Sequence, residues 1–262
     1  MEKLKVVAVS YLNTKPLLYG LLKSNLDQII DLDLHMPSVR AQRLKSGEAD
    51  IGLVPVAVIP EIEGARIISD YCIGADGKVD TVCVYSEVPL QQVTALILDY
   101  HSRTSVQLVQ ILLRDYWKLA PELVAGQKGF EDQIGGTTAG LVIGDRTIGL
   151  DRKYPFVYDL AEAWKAHTGL PFVFAAWVSR VDLPDEFLTQ FNAALASGLE
   201  FLPQLILLLQ SPDPDFDLTH YFTSSISYHL DTPKREALEL FWNAMGAAGF
   251  QSETPPLQLR NK

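Results

Sequence analysis

The sequence predicts an α/β fold of two lobes, with a ligand cleft between them and a hinge of two crossing strands. Three observations predict it. Short apolar strands alternate with polar loops and helical periods, the way parallel-sheet units read; the opening strand, loop and helix recur near residue 94; and the pattern after Pro184 is helical and must pack on something earlier in the chain.

Taken in order, LKVVAVS (4–10) is a buried-strand run and SYLNTKP its loop. Leu17, Leu18, Leu21 and Leu22 then fall on one helical face, with Pro16 suited to a first turn. Residues 38–46 read as a short helix ended by Gly47, followed by the strands ADIGLVPV (49–56) and VDTVCVYS (79–86). After the polar stretch EVPLQQ (87–92) the opening unit repeats as the strand TALILD (94–99), the loop YHSRTS and a helix from about Thr104 carrying Val106, Val109, Leu112, Leu113 and Tyr116. A Gly-rich passage leads to the strand AGLVIGD (139–145). The next helix has capping-box spacing at Asp159 and Glu162 and ends at Gly169, with Pro171 beyond. PFVFAAWVSR (171–180) closes this half, and a later helix starts at Thr232 and Pro233 and stops near Gly246 or Gly249. The helical remainder is assigned to the first lobe, so the lobes are 1–88 plus 180–262, and 89–179, with crossings near 87–92 and 176–182.

The chain has 262 residues, 48% hydrophobic and 21% charged, far from the composition of disorder. Its net charge of −10 argues against a nucleic-acid partner and against an anionic membrane surface. Cys72 and Cys83 lie in apolar alternating runs without metal-ligand spacing and read as buried thiols in a reducing compartment. The apolar stretch Val6–Val9 is short for a signal-peptide core, and Pro203 interrupts the greasy run 201–210. A soluble cytoplasmic protein is the expectation; the oligomeric state is left open.

The two matching loops carry the functional signal. Ser10, Tyr11, Asn13 and Thr14 lie between a strand and a helix start, and Ser102, Arg103, Thr104 and Ser105 occupy the equivalent place in the repeat. Helix starts present unpaired N–H groups and a partial positive charge, so two of them facing each other suit a small molecule with two anionic groups. The plainer reading is that these side chains only cap helices. Ser86 ends a strand, Asp145 and Arg146 follow another, and Trp177 stands near the second crossing; each is a further cleft candidate with an ordinary structural alternative. His101 is the only histidine on a candidate loop and the only histidine considered as a base; His35, His167, His220 and His229 form no metal-type grouping. No Walker loop, dinucleotide fingerprint, nucleophile elbow or zinc cluster is present, so neither cofactor nor metal is expected.

With those residues in view, the chain resembles the MqnA family, the chorismate dehydratases of the futalosine route to menaquinone. The resemblance rests on VSYLNTKPL (9–17), GEADIGLVPV (47–56), VCVYSEVPL (82–90), LDYHSRTSVQL (98–108), AGLVIGDRTI (139–148) and the run 159–177, with a similar YFTSSISYHLD at 221–231. One departure is Thr81, where the pattern calls for Ser. The resemblance implies a type II periplasmic-binding-protein-like fold used as an enzyme, chorismate as the small-molecule substrate, and elimination of water to 3-[(1-carboxyvinyl)oxy]benzoate. For that reaction the candidates read from the loops and strand ends are Asn13, Ser86 and Asp145 in catalytic roles, and Ser10, Tyr11, Thr14, Ser102, Arg103, Thr104, Ser105 and Trp177 in substrate contacts. The sister 1,4-dihydroxy-6-naphthoate synthase would call for a His where Ile143, Gly144 and Asp145 stand, which favours the dehydratase. A non-catalytic small-anion binding protein of the same fold is the remaining rival, since fold alone does not separate capture from catalysis.

Overall fold

Val6, Val7 and Ala8 are fully buried inside a six-stranded sheet. They belong to β1 (Leu4–Ala8), which is followed by α1 (Lys15–Lys23), β2 (Ile30–Leu34), α2 (Pro37–Ser46), β3 (Ile51–Pro55) and β4 (Arg66–Ala75). A second sheet is built from β5 (Val82–Ser86), β6 (Ala95–Leu98), β7 (Glu122–Ala125), β8 (Thr138–Ile143) and β9 (Phe156–Asp159). Between β6 and β7 lies α3 (Arg103–Ile111), and after β9 comes α4 (Leu160–Thr168). The chain returns through β10 (Phe172–Ser179) and ends in α5 (Asp185–Glu200), α6 (Leu202–Leu208), α7 (Leu218–His220), β11 (Ser227–His229) and α8 (Thr232–Ala244). The computed structural model describes residues 3–34 and 37–246, and of 37–41 the backbone only; His35 and Gly249 lie outside the described residues.

The sheets are ordered β11-β4-β10-β3-β1-β2 and β7-β6-β8-β5-β9. Each contains a parallel trio, with β1 between β2 and β3 in one and β6 between β7 and β8 in the other. An antiparallel strand then joins each trio, β10 beside β3 and β5 beside β8. The repeat legible in the sequence is this trio with its helix.

The antiparallel strands move the crossings. VDTVCVYS reads with the first lobe and PFVFAAWVSR with the second, but β5 lies in the second sheet and β10 in the first. The chain therefore changes sheets at 76–81 and 169–171, not near 87–92 and 176–182. An apolar run records that a strand is covered on both faces, not which sheet covers it. The polar stretch 87–92 is tied into the second lobe: the Glu87 carboxylate accepts the Gly136 N–H at 2.7 Å, and the Leu90 N–H donates to the Tyr158 hydroxyl at 2.8 Å.

Two packing features hold helices onto the first lobe, and the first of them adjoins the first loop. Helices α1 and α5 meet backbone to backbone, because a Cβ at Gly20 would stand 2.0 Å from the Ala194 carbonyl oxygen and one at Gly198 2.0 Å from that of Pro16. Only glycine permits this approach. On the other side of the lobe, Trp242 of α8 donates its indole N–H to the Val56 carbonyl at 2.9 Å. Leu22 points away from both, exposed, so the apolar face of α1 is narrower than its leucines imply. Among the described residues no single helix is long and apolar enough to cross a membrane; α5 and α6 are bent apart by 58°.

Candidate functional site: a cleft between two strand-to-helix loops

Tyr11, Asn13 and Thr14 of the first loop and His101, Ser102 and Ser105 of the second line one cleft, with Thr81 of the first crossing between them. Leu53, Ile73 and Phe174 supply apolar wall from the first sheet and Ile143 from the second. The cleft holds about 650 Å³ of space between atoms, open solvent included. Among the described residues that line it there is no Asp, Glu, Lys or Arg.

The second loop is a capped helix start. The Ser102 hydroxyl accepts the Ser105 N–H at 3.0 Å, and the two hydroxyls lie 2.9 Å apart. The leading N–H groups of α3 have no intrahelical partner and sit at the positive end of its dipole. The first loop differs, because a short 3-10 turn, Leu12–Thr14, precedes α1. Thr14 closes that turn by donating its hydroxyl toward Val9 O at 2.6 Å and Tyr11 O at 2.8 Å. The N–H of Leu12 donates to the Asp145 carboxylate at 3.3 Å, so a side chain from the second lobe occupies the start of the first loop.

Across the cleft mouth the Tyr11 hydroxyl lies 3.1 Å from His101 Nδ1. Burial first, and the Arg146 charge second, push the His101 pKa below the ordinary imidazole value. The ring is therefore neutral at pH 7, with its Nδ1 engaged by the Tyr11 hydroxyl. Behind it, buried Asp99 accepts the N–H groups of His101 at 2.7 Å and Ile143 at 3.0 Å and pairs with Arg146, which also reaches Glu131 at 2.6 Å. Burial pushes the Asp99 carboxyl up, opposed by those N–H groups and by Arg146. This network fixes the distance between two cleft-lining segments, 101–105 and 143–144.

Asn13 is held from the C-terminal part of the chain. Its carbonyl accepts the Tyr228 hydroxyl at 2.9 Å, and the neighbouring Tyr221 hydroxyl is 3.1 Å from Thr81 Oγ1.

Of the candidate residues, the structure thus brings Tyr11, Asn13, Thr14, Ser102 and Ser105 to the cleft. Ser86 is fully buried and its hydroxyl accepts the Val88 N–H at 3.2 Å, a strand-end turn away from the cleft; the hydroxyl at the cleft is that of Thr81. Arg103 turns outward, exposed, onto Glu61 at 2.7 Å. Thr104 is buried and accepts the Ala57 N–H at 3.2 Å, joining the lobes beside the cleft. Trp177 is core, edge-on to Phe191 at 5.2 Å, because its strand belongs to the first sheet. Ser10 is exposed outside the lining, and Arg146 is committed to Asp99 and Glu131. Asp145 is an exposed rim residue whose carboxyl is withdrawn from water enough to push its pKa up, with Leu12 N–H and Lys15 opposing. Thr81, Tyr221 and Tyr228 are absent from the candidate set; their signal is the motif match around 81 and at 221–231.

A family model described as menaquinone biosynthesis matches residues 4–247. The chain belongs to this menaquinone biosynthesis family. The chain is also similar to the chorismate dehydratase of Thermus thermophilus, 27% identical in an alignment 242 positions long that covers 80% of this chain and 85% of that protein. Among solved structures, a protein of Archaeoglobus fulgidus superposes with TM-score 0.69 at 14% identity, covering 94% of this chain and 98% of that one. The periplasmic aliphatic sulphonate binding protein of Escherichia coli superposes with TM-score 0.58 at 12% identity, covering 96% of each. Likeness at such identity concerns the fold alone, and the fold is periplasmic-binding-protein-like, with two sheets.

Proposed function

We propose that this family member is a chorismate dehydratase, eliminating water from chorismate to give 3-[(1-carboxyvinyl)oxy]benzoate. The observation that carries the reading is the opposition of Asn13 to the α3 start at Ser102–Ser105 across one cleft, in a chain of a menaquinone biosynthesis family with a chorismate dehydratase relative. Chorismate bears a ring carboxylate and an enolpyruvyl carboxylate, which fits two opposed sets of neutral donors. The proton on the ether-bearing ring carbon leaves first, acidified through the adjacent double bond by the ring carboxylate. The ring hydroxyl then departs, the ring becomes aromatic, and proton and hydroxide together make the water released. Negative charge grows on the ring carboxylate during the first step, and fixed donors aimed there lower the barrier more than they improve ground-state binding. Asn13 is the principal donor in this reading, with Thr81 beside it; the α3 amides, Ser102, Ser105 and Tyr11 hold the other end.

The proton acceptor is the substrate's own enolpyruvyl carboxylate, tethered to the reacting carbon through the ether oxygen and the vinyl carbon. The cleft lining supports this because its only titratable imidazole, His101, is engaged by Tyr11, and Asp145 stands at the rim on Leu12. His101→Asn and Asp145→Asn test it: loss of kcat by several orders of magnitude with binding intact, in either variant, assigns the base to the protein. The reading as a whole is tested by incubating the purified chain with chorismate and following the aromatic product. Tight binding without turnover makes the chain a receptor for small anions.

A further inference from the structure

The C-terminal stretch Tyr221–Tyr228 reaches the cleft from behind. It belongs to neither loop, yet it touches both cleft residues that the proposed reaction relies on most. The Tyr228 hydroxyl donates to the Asn13 carbonyl at 2.9 Å. The Tyr221 hydroxyl stands 3.1 Å from Thr81 Oγ1, and Ser225 donates its hydroxyl to the Asp80 carboxylate at 2.5 Å. Both tyrosines are buried, and Ser227 and His229 pair with β4, so the stretch is anchored to the first sheet. Asn13 lies in a 3-10 turn of three residues, too short to fix its own orientation, while Asp80 and Thr81 lie on the first crossing between the sheets.

We propose that Tyr228 and Tyr221 are positioning residues: Tyr228 sets how far the Asn13 turn projects into the cleft, and Tyr221 sets Thr81 beside it. Pinning the Asn13 carbonyl at 2.9 Å fixes the peptide plane beside its own Cα and so the direction in which its side chain leaves the turn, and the Tyr221 side of the brace holds Thr81 of the crossing. Burial pushes the Tyr228 phenol well above its ordinary value, so it remains a protonated donor throughout the working pH range. The proposal rests on the reading of the cleft as a chorismate dehydratase site for its kinetic readout only.

The test is Tyr228→Phe and Tyr221→Phe in the full chain, each alone and in an Asn13→Ala background, with Tyr154→Phe as control. Tyr154 donates to the Glu131 carbonyl at 3.1 Å and is equally buried, but lies outside the cleft lining. A displaced catalytic group lowers kcat by roughly 10-fold to 100-fold. The expected result is that loss for Tyr228→Phe with KM within about two-fold, a smaller loss for Tyr221→Phe, none for Tyr154→Phe, and little further loss when either is added to Asn13→Ala. Amide exchange at residues 11–14 speeds up in Tyr228→Phe and stays unchanged in the control. Unchanged kcat and exchange in Tyr228→Phe, or a loss equally large in the Asn13→Ala background, overturns the brace. If the wild-type chain does not convert chorismate, the functional reading fails on its own, and amide exchange at 11–14 still decides the brace.

Discussion

Replacing Gly198 by Ala perturbs the cleft from its far side. The added Cβ would stand 2.0 Å from the Pro16 carbonyl oxygen and 2.8 Å from the Gly20 nitrogen, where ordinary contact begins at 3.4 Å. All these neighbours are backbone, so relief requires α1 and α5 to part, by up to about 1.4 Å at the crossing. Overpacking of this kind costs about 1–3 kcal/mol, offset in part by the ~1 kcal/mol that Ala gains over Gly inside a helix. The net of about 0–2 kcal/mol lowers Tm by up to roughly 8 °C in a chain of this size. The same parting moves Pro16, three residues from Asn13, so kcat with chorismate falls by roughly 10-fold or more while the chain remains folded at 25 °C. Thermal unfolding followed by circular dichroism and steady-state turnover measure the two effects. A Tm and a kcat both at wild-type level would refute the idea that this crossing sets the first loop.

Asn13→Ala is expected to lose most of kcat with its fold retained, shown by an unchanged far-ultraviolet spectrum; near wild-type turnover would make Asn13 a turn residue only. Ser86→Ala is expected to keep kcat within about two-fold and to lose ~1 kcal/mol in urea unfolding, because its hydroxyl serves the Val88 N–H. Arg103→Gln is expected to leave KM within about two-fold and stability within ~1 kcal/mol, since an exposed pair with Glu61 is what it removes. His101, whose pKa is held below the imidazole range by burial and Arg146, makes stability fall as acid is added. The unfolded chain takes the proton first, so the contribution is complete above the ordinary imidazole pKa and is lost as pH drops toward the folded value. Urea midpoints measured from pH 8 to 5 show this fall, His101→Asn reduces it, and an imidazole that titrates by NMR at or above the ordinary value refutes it.

Much of the trio architecture was legible because its signals are local. The capping spacing at Asp159 places the start of α4 where its carboxylate accepts the Ala161 and Glu162 N–H groups, and Gly169 ends that helix in a left-handed turn. Ser102 and Pro16 mark the two loops in the same way. Five strands escaped a reading by apolar runs, among them the three-residue β11 (SYH) in the stretch after Pro184 that reads as helical. IDLDL of β2 and ELVA of β7 are edge strands with acidic or exposed positions, and FVYD of β9 is short and also an edge. β4 carries Asp70 within RIISDYCIGA, and only pairing on both sides shows it to be a strand. In the site, hydroxyl-rich loops could be located, but the outward turn of Arg103 depends on Glu61, 42 positions away, and the support of Asn13 by Tyr228 spans 215. Long-range partners of that kind leave no periodic trace in sequence.

The outward turn of Arg103 bears on how an acidic chain of net charge −10 would handle a dianion. A guanidinium on the enolpyruvyl carboxylate would hold it in its charged form and lower its pKa, weakening it as a base. A guanidinium on the ring carboxylate would bind the ground state and the transition state with similar strength, improving affinity without proportionate gain in rate. Neutral donors fixed by the protein act differently. In the proposed reaction Asn13, the Ser102–Ser105 pair and the α3 amides are such donors, oriented before substrate arrives, with hydrogen bonds that strengthen as charge develops on the oxygen they face. Keeping cationic side chains out of the lining, with Arg103 on Glu61 and Arg146 on Asp99 and Glu131, is then consistent with a reaction in which the substrate supplies its own base. The consequence is a weak ground-state grip: chorismate binding falls little between low and moderate salt, because no side-chain ion pair with the protein is there to be screened.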